Sequence, residues 1–157
     1  MMRPMRRRDR LATEDEAIEM LKEGVYGTLS VCGNNNIPYG IPLNYAYADG
    51  VIYFHCAKAG YKSDIMKENN NVCFSVVTKA DVLADMFSSD FKSAVVFGKA
   101  YLVEDADERQ HGFETILYKY CSDYIPSGME HIKKAGPAAL IYKIVPEEIT
   151  GKLRRIN

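Results

Sequence analysis

The chain of 157 residues has no tryptophan, only three histidines and no long apolar run. No stretch of the sequence approaches the roughly 18 consecutive apolar residues that a membrane-spanning helix needs. Its first residues, MMRPMRRRDRLATEDE, also lack the apolar core of a signal peptide. We therefore expect a cytoplasmic protein that has no membrane partner.

An excess of charge of one sign is missing as well, because 20 basic residues nearly balance 21 acidic ones. A net charge of -1 provides no overall field that would attract nucleic acid or an anionic membrane. The Arg-rich start remains open to three interpretations: a nucleic-acid arm, a disordered solubilising tail, or a positive segment that covers a bound phosphate or a partner subunit.

Paired cysteines and clustered metal ligands are also lacking. The four cysteines form no C-x-x-C pair and lie in apolar or aromatic runs, where a reduced cysteine behaves as a small hydrophobic residue. His111 and His131 fall on predicted helices without a Cys, Asp or Glu partner at ligand spacing. The sequence thus predicts a disulfide-free protein without a metal site.

The helix signals begin after this basic start. Thr13 and Glu16 form a capping box, which predicts a helix that ends near Gly24. Asp105 and Glu108 can cap a second helix, which carries one apolar face. That face consists of Phe113, Ile116, Leu117 and Tyr120. Two shorter helices are predicted over residues 62–69 and 128–135.

Segments rich in β-forming residues make up most of the rest. They are predicted over residues 26–32, 37–48, 51–56, 72–78, 91–104 and 138–149, with a looser stretch over 79–90. Asp49-Gly50 is a strong hairpin turn, and a bend or bulge is expected near Gly98. We infer a single α+β domain over residues 1–157, mainly β and mostly antiparallel, built on a small barrel with a basic arm over 1–10.

One loop carries the signature of an anion site. Lys58 and Lys62 flank Gly60 immediately before a predicted helix. The positive end of a helix dipole, free backbone N–H groups and two ammonium groups favour a phosphate, and glycine allows close approach of the backbone. Two lysines in a surface loop can also be plain solvated charges, and the P-loop pattern is absent.

Several motifs in order along the chain carry a family resemblance. They are RRRDR at residues 6–10, YGTLS at 26–30, PYGIPLNY at 38–45, IYFHCAKAGYK at 52–62, VVFGKA at 95–100 and EITGK at 148–152. Together they resemble the pyridoxamine 5′-phosphate oxidase-related proteins, and within them the 5-nitroimidazole resistance (Nim-type) branch of flavin-nucleotide-binding proteins. The resemblance spans nearly the whole chain.

This resemblance implies an FMN-binding split β-barrel with flanking helices, which forms a homodimer with two FMN sites between the subunits. It places the phosphate at the loop after the third strand and the isoalloxazine ring along the second strand. It also directs the segment over residues 93–99 toward the partner's cofactor. The cofactor-binding residues that we expect are Pro42, Leu43, Asn44, His55, Cys56, Ala57, Lys58, Lys62, Ser93 and Val95.

Two of these residues also have signals of their own. Pro42 cannot donate a ladder hydrogen bond, which predicts that its strand is interrupted or lies at a sheet edge, although a plain bulge proline would fit as well. Strand alternation places His55 on the face of Val51 and Tyr53. The resemblance places this histidine close to the flavin as a candidate catalytic residue, whereas a lone strand histidine is otherwise structural or solvated.

The function implied is an FMN-dependent oxidoreductase that passes electrons to a small-molecule acceptor such as a nitroaromatic compound. No G-x-G-x-x-G pattern for a nicotinamide donor is present. Two alternatives remain open: a non-enzymatic flavin- or haem-binding storage module, and a true pyridoxamine 5′-phosphate oxidase. The second lacks its expected C-terminal arginine and histidine pattern in GKLRRIN.

Overall fold

A computed structural model describes residues 4–154 of the chain. The ends of the predicted basic arm and of the basic C-terminal segment, residues 1–3 and 155–157, lie outside the described residues. Seven strands form one sheet: β1 (Gly27–Cys32), β2 (Pro38–Leu43), β3 (Ala46–Ala48), β4 (Val51–Ala57), β5 (Asn71–Leu83), β6 (Ser88–Leu102) and β7 (Ala139–Leu153). The helices are α1 (Glu14–Glu23), α2 (Tyr61–Glu68), α3 (Ala106–Tyr120) and α4 (Ile125–Ala135).

The strands are arranged in the order β2-β1-β5-β6-β7-β4-β3, and all the pairings between them are antiparallel. Long hairpins join neighbours in sequence, and β7 returns to lie between β6 and β4. The predicted α+β class with a mostly antiparallel sheet is therefore confirmed. Pro42 lies in β2, which is an end strand of the sheet, as its missing N–H predicted.

The main core lies on one face of the sheet. Along β1 and β5 the side chains alternate between buried and half-buried, as expected for strands with one covered face. Phe54, Phe74 and Ile144 are fully buried there, and α1 adds Leu21 to the same cluster. A smaller cluster around Tyr53 and Ile141 lies beneath α3.

Local signals positioned α1 and the Asp49-Gly50 turn correctly, whereas α4 begins at Ile125, three residues before its predicted start at 128. Thr13 accepts a hydrogen bond from the N–H of Glu16 at 3.2 Å, and the Glu16 carboxylate accepts one from the N–H of Thr13 at 2.8 Å. Asp49 and Gly50 have φ angles of 52° and 79°, as a tight primed hairpin turn requires. A Cβ at Gly98 would lie 2.2 Å from the carbonyl oxygen of Val145, which explains glycine at the register shift there.

Three sequence predictions of the strands need correction. The segment over 37–48 is not one strand, because the ladder is interrupted at Asn44 and Tyr45. The stretch over 79–90 is not loose: β5 and β6 continue as one hairpin to a turn at Ala84–Phe87. Strand β7 runs to Leu153, four residues beyond the predicted end at 149.

The described part of the basic arm is folded against the sheet. Arg7 and Asp9 form an ion pair at 2.5 Å, and Leu11 bridges to Lys152 of β7. The guanidinium of Arg10 lies 5.5 Å from the ring centroid of Phe91 in β6. Residues 7–11 therefore form a structured lead into α1 that lies next to the C-terminal half of β7.

Candidate functional site

The loop between β4 and α2 has the geometry of an anion site. Gly60 adopts φ 156° and ψ 153°, a conformation that is essentially restricted to glycine. It provides no side-chain cap, so the first N–H groups of α2 face outward without a side-chain acceptor. A Cβ at Gly60 would meet no heavy atom within 4 Å, which shows that the space beside this backbone is open.

The two lysines border the same loop. Lys58 is exposed and Lys62 is half-buried in the first turn of α2. Within residues 4–154, neither ammonium group forms an ion pair with a carboxylate. Lys67, at the other end of α2, lies 4.0 Å from Asp64. Two ammonium groups without an ion-pair partner thus border the N-terminal end of the helix, although the carboxylate of Asp64 lies in its first turn.

Strand β2 lies beside this loop. The ring of Tyr39 contacts that of Tyr61, the first residue of α2, with centroids 5.1 Å apart. Beyond Tyr39 the strand leads to Pro42, which is exposed, and to Leu43, which packs partly against the core. The side-chain amide of Asn44 donates to the carbonyl oxygen of Val25 at 3.1 Å. The structure therefore brings the predicted ring-binding strand next to the predicted phosphate loop.

His55, Cys56 and Ala57 approach the loop along β4, but their side chains point in different directions. Ala57 is exposed. Cys56 is buried, with its sulfur 3.5 Å from the hydroxyl of Ser63, so its side chain does not reach the open side of the loop. His55 lies on the face of Tyr53, as strand alternation predicted. The side chain of His55 is exposed, but partial burial of its ring, and secondarily the charge of Lys62, lower its pKa, which favours a neutral imidazole.

Val95 and Pro42 lie in one row across the sheet. Val95 of β6 is opposite Ser75, Ser75 is opposite Thr28, and Thr28 is opposite Pro42. Three strand spacings separate the two ends of this row, or about 14 Å. These four residues, which we name the outer row, are half-buried or exposed, whereas the chain neighbours of Thr28, Ser75 and Val95 on the other face of the sheet are buried. The outer row consists of small side chains.

Within one chain, Ser93 and His55 do not meet. His55 is opposite Ile141 of β7, whereas Ser93 is opposite Lys152 of the same strand. At about 3.3 Å per residue, roughly 35 Å of strand lies between these two partners. The predicted residues thus form two groups, one around the loop and β2 and the other on β6.

Sequence reasoning missed a further feature, a cavity of about 590 Å³ between α3 and α4 that His55 also lines. The apolar face of α3 was correctly predicted, but only as a surface that packs on the sheet. Phe113 and Ile116 do pack against the cluster around Tyr53, whereas Leu117 contacts α4 at Gly128. The length of this face, a full two turns, was the signal that α3 contacts more than the sheet.

The described residues include no helix long and apolar enough to cross a membrane. Over residues 4–154 there is also no group of three or more His, Cys, Asp or Glu side chains that could hold a metal ion.

Solved structures of known proteins share this fold. A candidate 5-nitroimidazole antibiotic resistance protein from Bacteroides thetaiotaomicron is 21% identical over 90% of this chain and 85% of its own, with a TM-score of 0.74. The flavocytochrome Anf3 from Azotobacter vinelandii is 17% identical over 98% of this chain and 73% of its own, with a TM-score of 0.80. The FAD and haem binding protein from Mycobacterium smegmatis is 14% identical over 94% and 74%, with a TM-score of 0.76.

These likenesses confirm the split-barrel fold. No curated protein sequence matches the chain. The family described as pyridoxamine 5′-phosphate oxidase, in contrast, matches residues 13–153, which is most of the chain. By that match, the protein belongs to the pyridoxamine 5′-phosphate oxidase family.

Proposed function

We propose that this protein binds FMN between two copies of the chain and passes electrons from the reduced flavin to a small acceptor. The observation that carries the proposal is the loop before α2, where Gly60 opens the backbone and two unpaired lysines border a helix N-terminus. Such a loop suits a phosphomonoester, because both the N–H groups and the ammonium groups are donors that favour negative charge.

The position of β2 supports the direction in which the flavin would lie. With its phosphate at the loop, the cofactor would extend past Tyr39 toward Pro42 and Asn44. Pro42 is exposed on an end strand, and the chain leaves the sheet just after Leu43, so backbone groups there are available to the polar edge of a ring. A bound flavin supplies the redox chemistry. The chain would orient the ring and exclude side reactions.

The homodimer is part of the same proposal. In one chain Ser93 and His55 lie opposite distant parts of β7, and Val95 is three strand spacings from Pro42, so we assign Ser93 and Val95 to the flavin of the partner. The surface next to the outer row is available for this contact: Val77, two residues beyond Ser75 on β5 and opposite Ser93, is 60% exposed in the single chain. A second copy on this surface would bury that side chain and complete the site.

The choice of FMN rests on the expectation that the two lysines and the N-terminal end of α2 bind one terminal phosphate. The relative from Mycobacterium smegmatis is named for FAD and haem, and the one from Bacteroides thetaiotaomicron for nitroimidazole resistance. The latter name supports a nitroaromatic acceptor and the Nim-type branch for this chain as well. A storage module would hold the same flavin but would not turn over.

The test begins with the absorption spectrum of the freshly purified protein, which separates a flavin from a haem. Flavin-free protein is then titrated with FMN, FAD and riboflavin. We expect the tightest binding for FMN and the weakest for riboflavin, which has no phosphate. The FMN-loaded protein is reduced under anaerobic conditions and mixed with a nitroimidazole. Rapid reoxidation supports an oxidoreductase, whereas reoxidation no faster than that of free reduced FMN shows a store. Failure to bind any flavin refutes the proposal.

A further inference from the structure

Helices α3 and α4 border a cavity of about 590 Å³ against the start of β7 and the end of β4, and it is open to solvent because several of its lining residues are exposed. We call it the α3–α4 cavity. Its aliphatic and aromatic walls include Phe113, Ile116, Leu117 and Ile132. The volume falls within the roughly 300–1,000 Å³ that is typical of small-molecule sites.

The lining of this cavity favours a neutral occupant. No Lys, Arg, Asp or Glu is among the described residues that line it. A charged ligand would give up part of its hydration against the apolar walls and meet no counter-charge, whereas a neutral apolar ligand gains from covering those walls. The aromatic rings of the lining favour a flat molecule, because rings stack against rings.

Imidazole, hydroxyl and thiol groups give the cavity its polar atoms. The hydroxyls and the thiol belong to Tyr120, Tyr124, Ser127 and Cys121. His55 and His131 also line it and are exposed, and neither side chain forms a hydrogen bond to any other residue within the described range. Imidazole nitrogens without a protein partner beside apolar walls are suited to hold the polar substituents of an aromatic ligand, such as a carbonyl, nitro or hydroxyl group.

The cavity also contacts the candidate flavin site in two places. His55 is two residues before Ala57, where the loop begins. Tyr120 lines the cavity, and its hydroxyl lies 3.0 Å from the backbone nitrogen of Tyr45, the residue after Asn44. A molecule in the cavity would thus lie near both parts of the candidate flavin site, the loop that begins at Ala57 and the end of β2 at Asn44.

We propose that the α3–α4 cavity binds a neutral, flat aromatic molecule with a hydrogen-bonding substituent, and that it is the site of the electron acceptor. The first half of this inference depends on the cavity alone. The second half rests on the proposed function.

The experiment uses the neutral fluorophore N-phenyl-1-naphthylamine, whose emission rises in apolar surroundings, and the full chain without added flavin. We expect saturable binding of one probe per chain. Ala135 lines the cavity and is exposed, so Ala135→Phe fills the mouth without disturbing the core. Ala138→Phe makes the same change at an exposed position outside the lining. We expect Ala135→Phe to weaken probe binding at least tenfold and Ala138→Phe to leave it unchanged.

Any other result of the probe-binding experiment overturns the inference. Absence of saturable binding, or equal weakening by the two variants, shows that the cavity is not the site. Ser127→Leu, at a second exposed lining position, must repeat the effect of Ala135→Phe. If haemin binds more tightly than the probe, and His131→Leu abolishes its Soret band, the cavity is a haem site and the neutral class is wrong.

A competition experiment separates this inference from the proposed function. A neutral nitronaphthalene should displace the probe in flavin-free protein, and 4-nitrobenzoate, which is charged, should not. If displacement occurs but the protein binds no flavin, the ligand site stands and only its role as the acceptor site falls. Displacement by the charged compound with equal affinity contradicts the proposed ligand class.

Discussion

The hydroxyl of Tyr120 accepts a hydrogen bond from the main-chain N–H of Tyr45 at 3.0 Å and so joins α3 to the interruption between β2 and β3. The same hydroxyl lies 2.7 Å from the carbonyl oxygen of Val25 and 2.8 Å from that of Tyr45, and its single proton can serve one of them at a time. One side chain therefore satisfies the backbone where the sheet ladder stops. Lys119, beside it, donates to the carbonyl oxygen of Gly24 at 2.6 Å.

Replacement of this hydroxyl should destabilise the fold. Tyr120→Phe leaves the N–H of Tyr45 without its acceptor, and an unsatisfied buried group costs about 1–3 kcal/mol. Tyr118→Phe is the matched control, because Tyr118 lies on the same helix and is 56% exposed; surface changes of this kind stay within about 0.5 kcal/mol. Urea denaturation measures both. Equal midpoints for the two variants would show that the contact is not stabilising.

Removal of the charges at Lys58 and Lys62 should weaken the binding of FMN far more than the binding of riboflavin. Only FMN has the phosphate, and each charge-assisted contact is worth about 1.5–3 kcal/mol, so the double alanine variant should lose roughly a hundredfold or more in FMN affinity. Fluorescence titration of both flavins gives the ratio.

The matched control for this pair is Lys67→Ala at the other end of α2, where Lys67 faces Asp64 at 4.0 Å. It removes one positive charge from the same helix without touching the loop. We expect its FMN affinity to stay within about twofold of wild type, as for a screened surface charge. If the double variant of Lys58 and Lys62 loses the same affinity for FMN as for riboflavin, the two lysines do not bind the phosphate.

The parts of the fold that the sequence predicted correctly depend on residues close together in the chain. The capping box of Thr13 and Glu16 and the Asp49-Gly50 turn are each complete within four residues. Pro42 indicated an interruption or a sheet edge but not where the strand breaks, because the groups that stabilise the break at Asn44 and Tyr45, Val25 and Tyr120, are far away in sequence. The stretch over 79–90 looked loose because its strands gain order from pairing across the hairpin, with Lys79 and Asp90 joined by an ion pair.

The candidate site divides in the same way. The loop around Gly60 has a local signature of glycine, lysines and a helix start, so the sequence alone is enough to locate it. The α3–α4 cavity has none, because it forms only when α4 folds back on α3 and brings His131 and His55 to one space. Two histidines separated by 75 intervening residues carry no pattern that spacing alone would reveal.

His55 should affect acceptor reduction more than flavin affinity. Its pKa is lowered by burial and by Lys62, so the imidazolium is present only at acid pH. If the imidazolium donates a proton to the reduced acceptor, the rate falls as pH rises through this lowered pKa, within a window below the ordinary value of about 6.5. Stopped-flow reoxidation of FMN-loaded protein from about pH 5 to 8 measures this fall in rate.

The fall of the reoxidation rate with rising pH should vanish in His55→Ala and persist in His111→Ala. His111 is the control because it lies on α3 with its imidazole 2.6 Å from Asp49, outside the cavity lining. Identical pH profiles for wild type and His55→Ala would assign His55 a structural role and leave the flavin proposal intact.

A charge on the outer face of the sheet should separate the subunits and release the flavin together. Val77 is opposite Ser93 and is 60% exposed in the single chain, so Val77→Asp costs an isolated chain little but would bury a carboxylate between two copies. Val25→Asp is the control, because Val25 is equally exposed, at 60%, and lies outside the strands. Sedimentation velocity and flavin content are measured on the same samples.

We expect Val77→Asp to sediment as a monomer and to retain less than about a tenth of the wild-type flavin, which corresponds to a loss of at least 1.4 kcal/mol of binding energy. A monomer that keeps its full flavin content would contradict the proposal that Ser93 and Val95 contact the flavin of the partner.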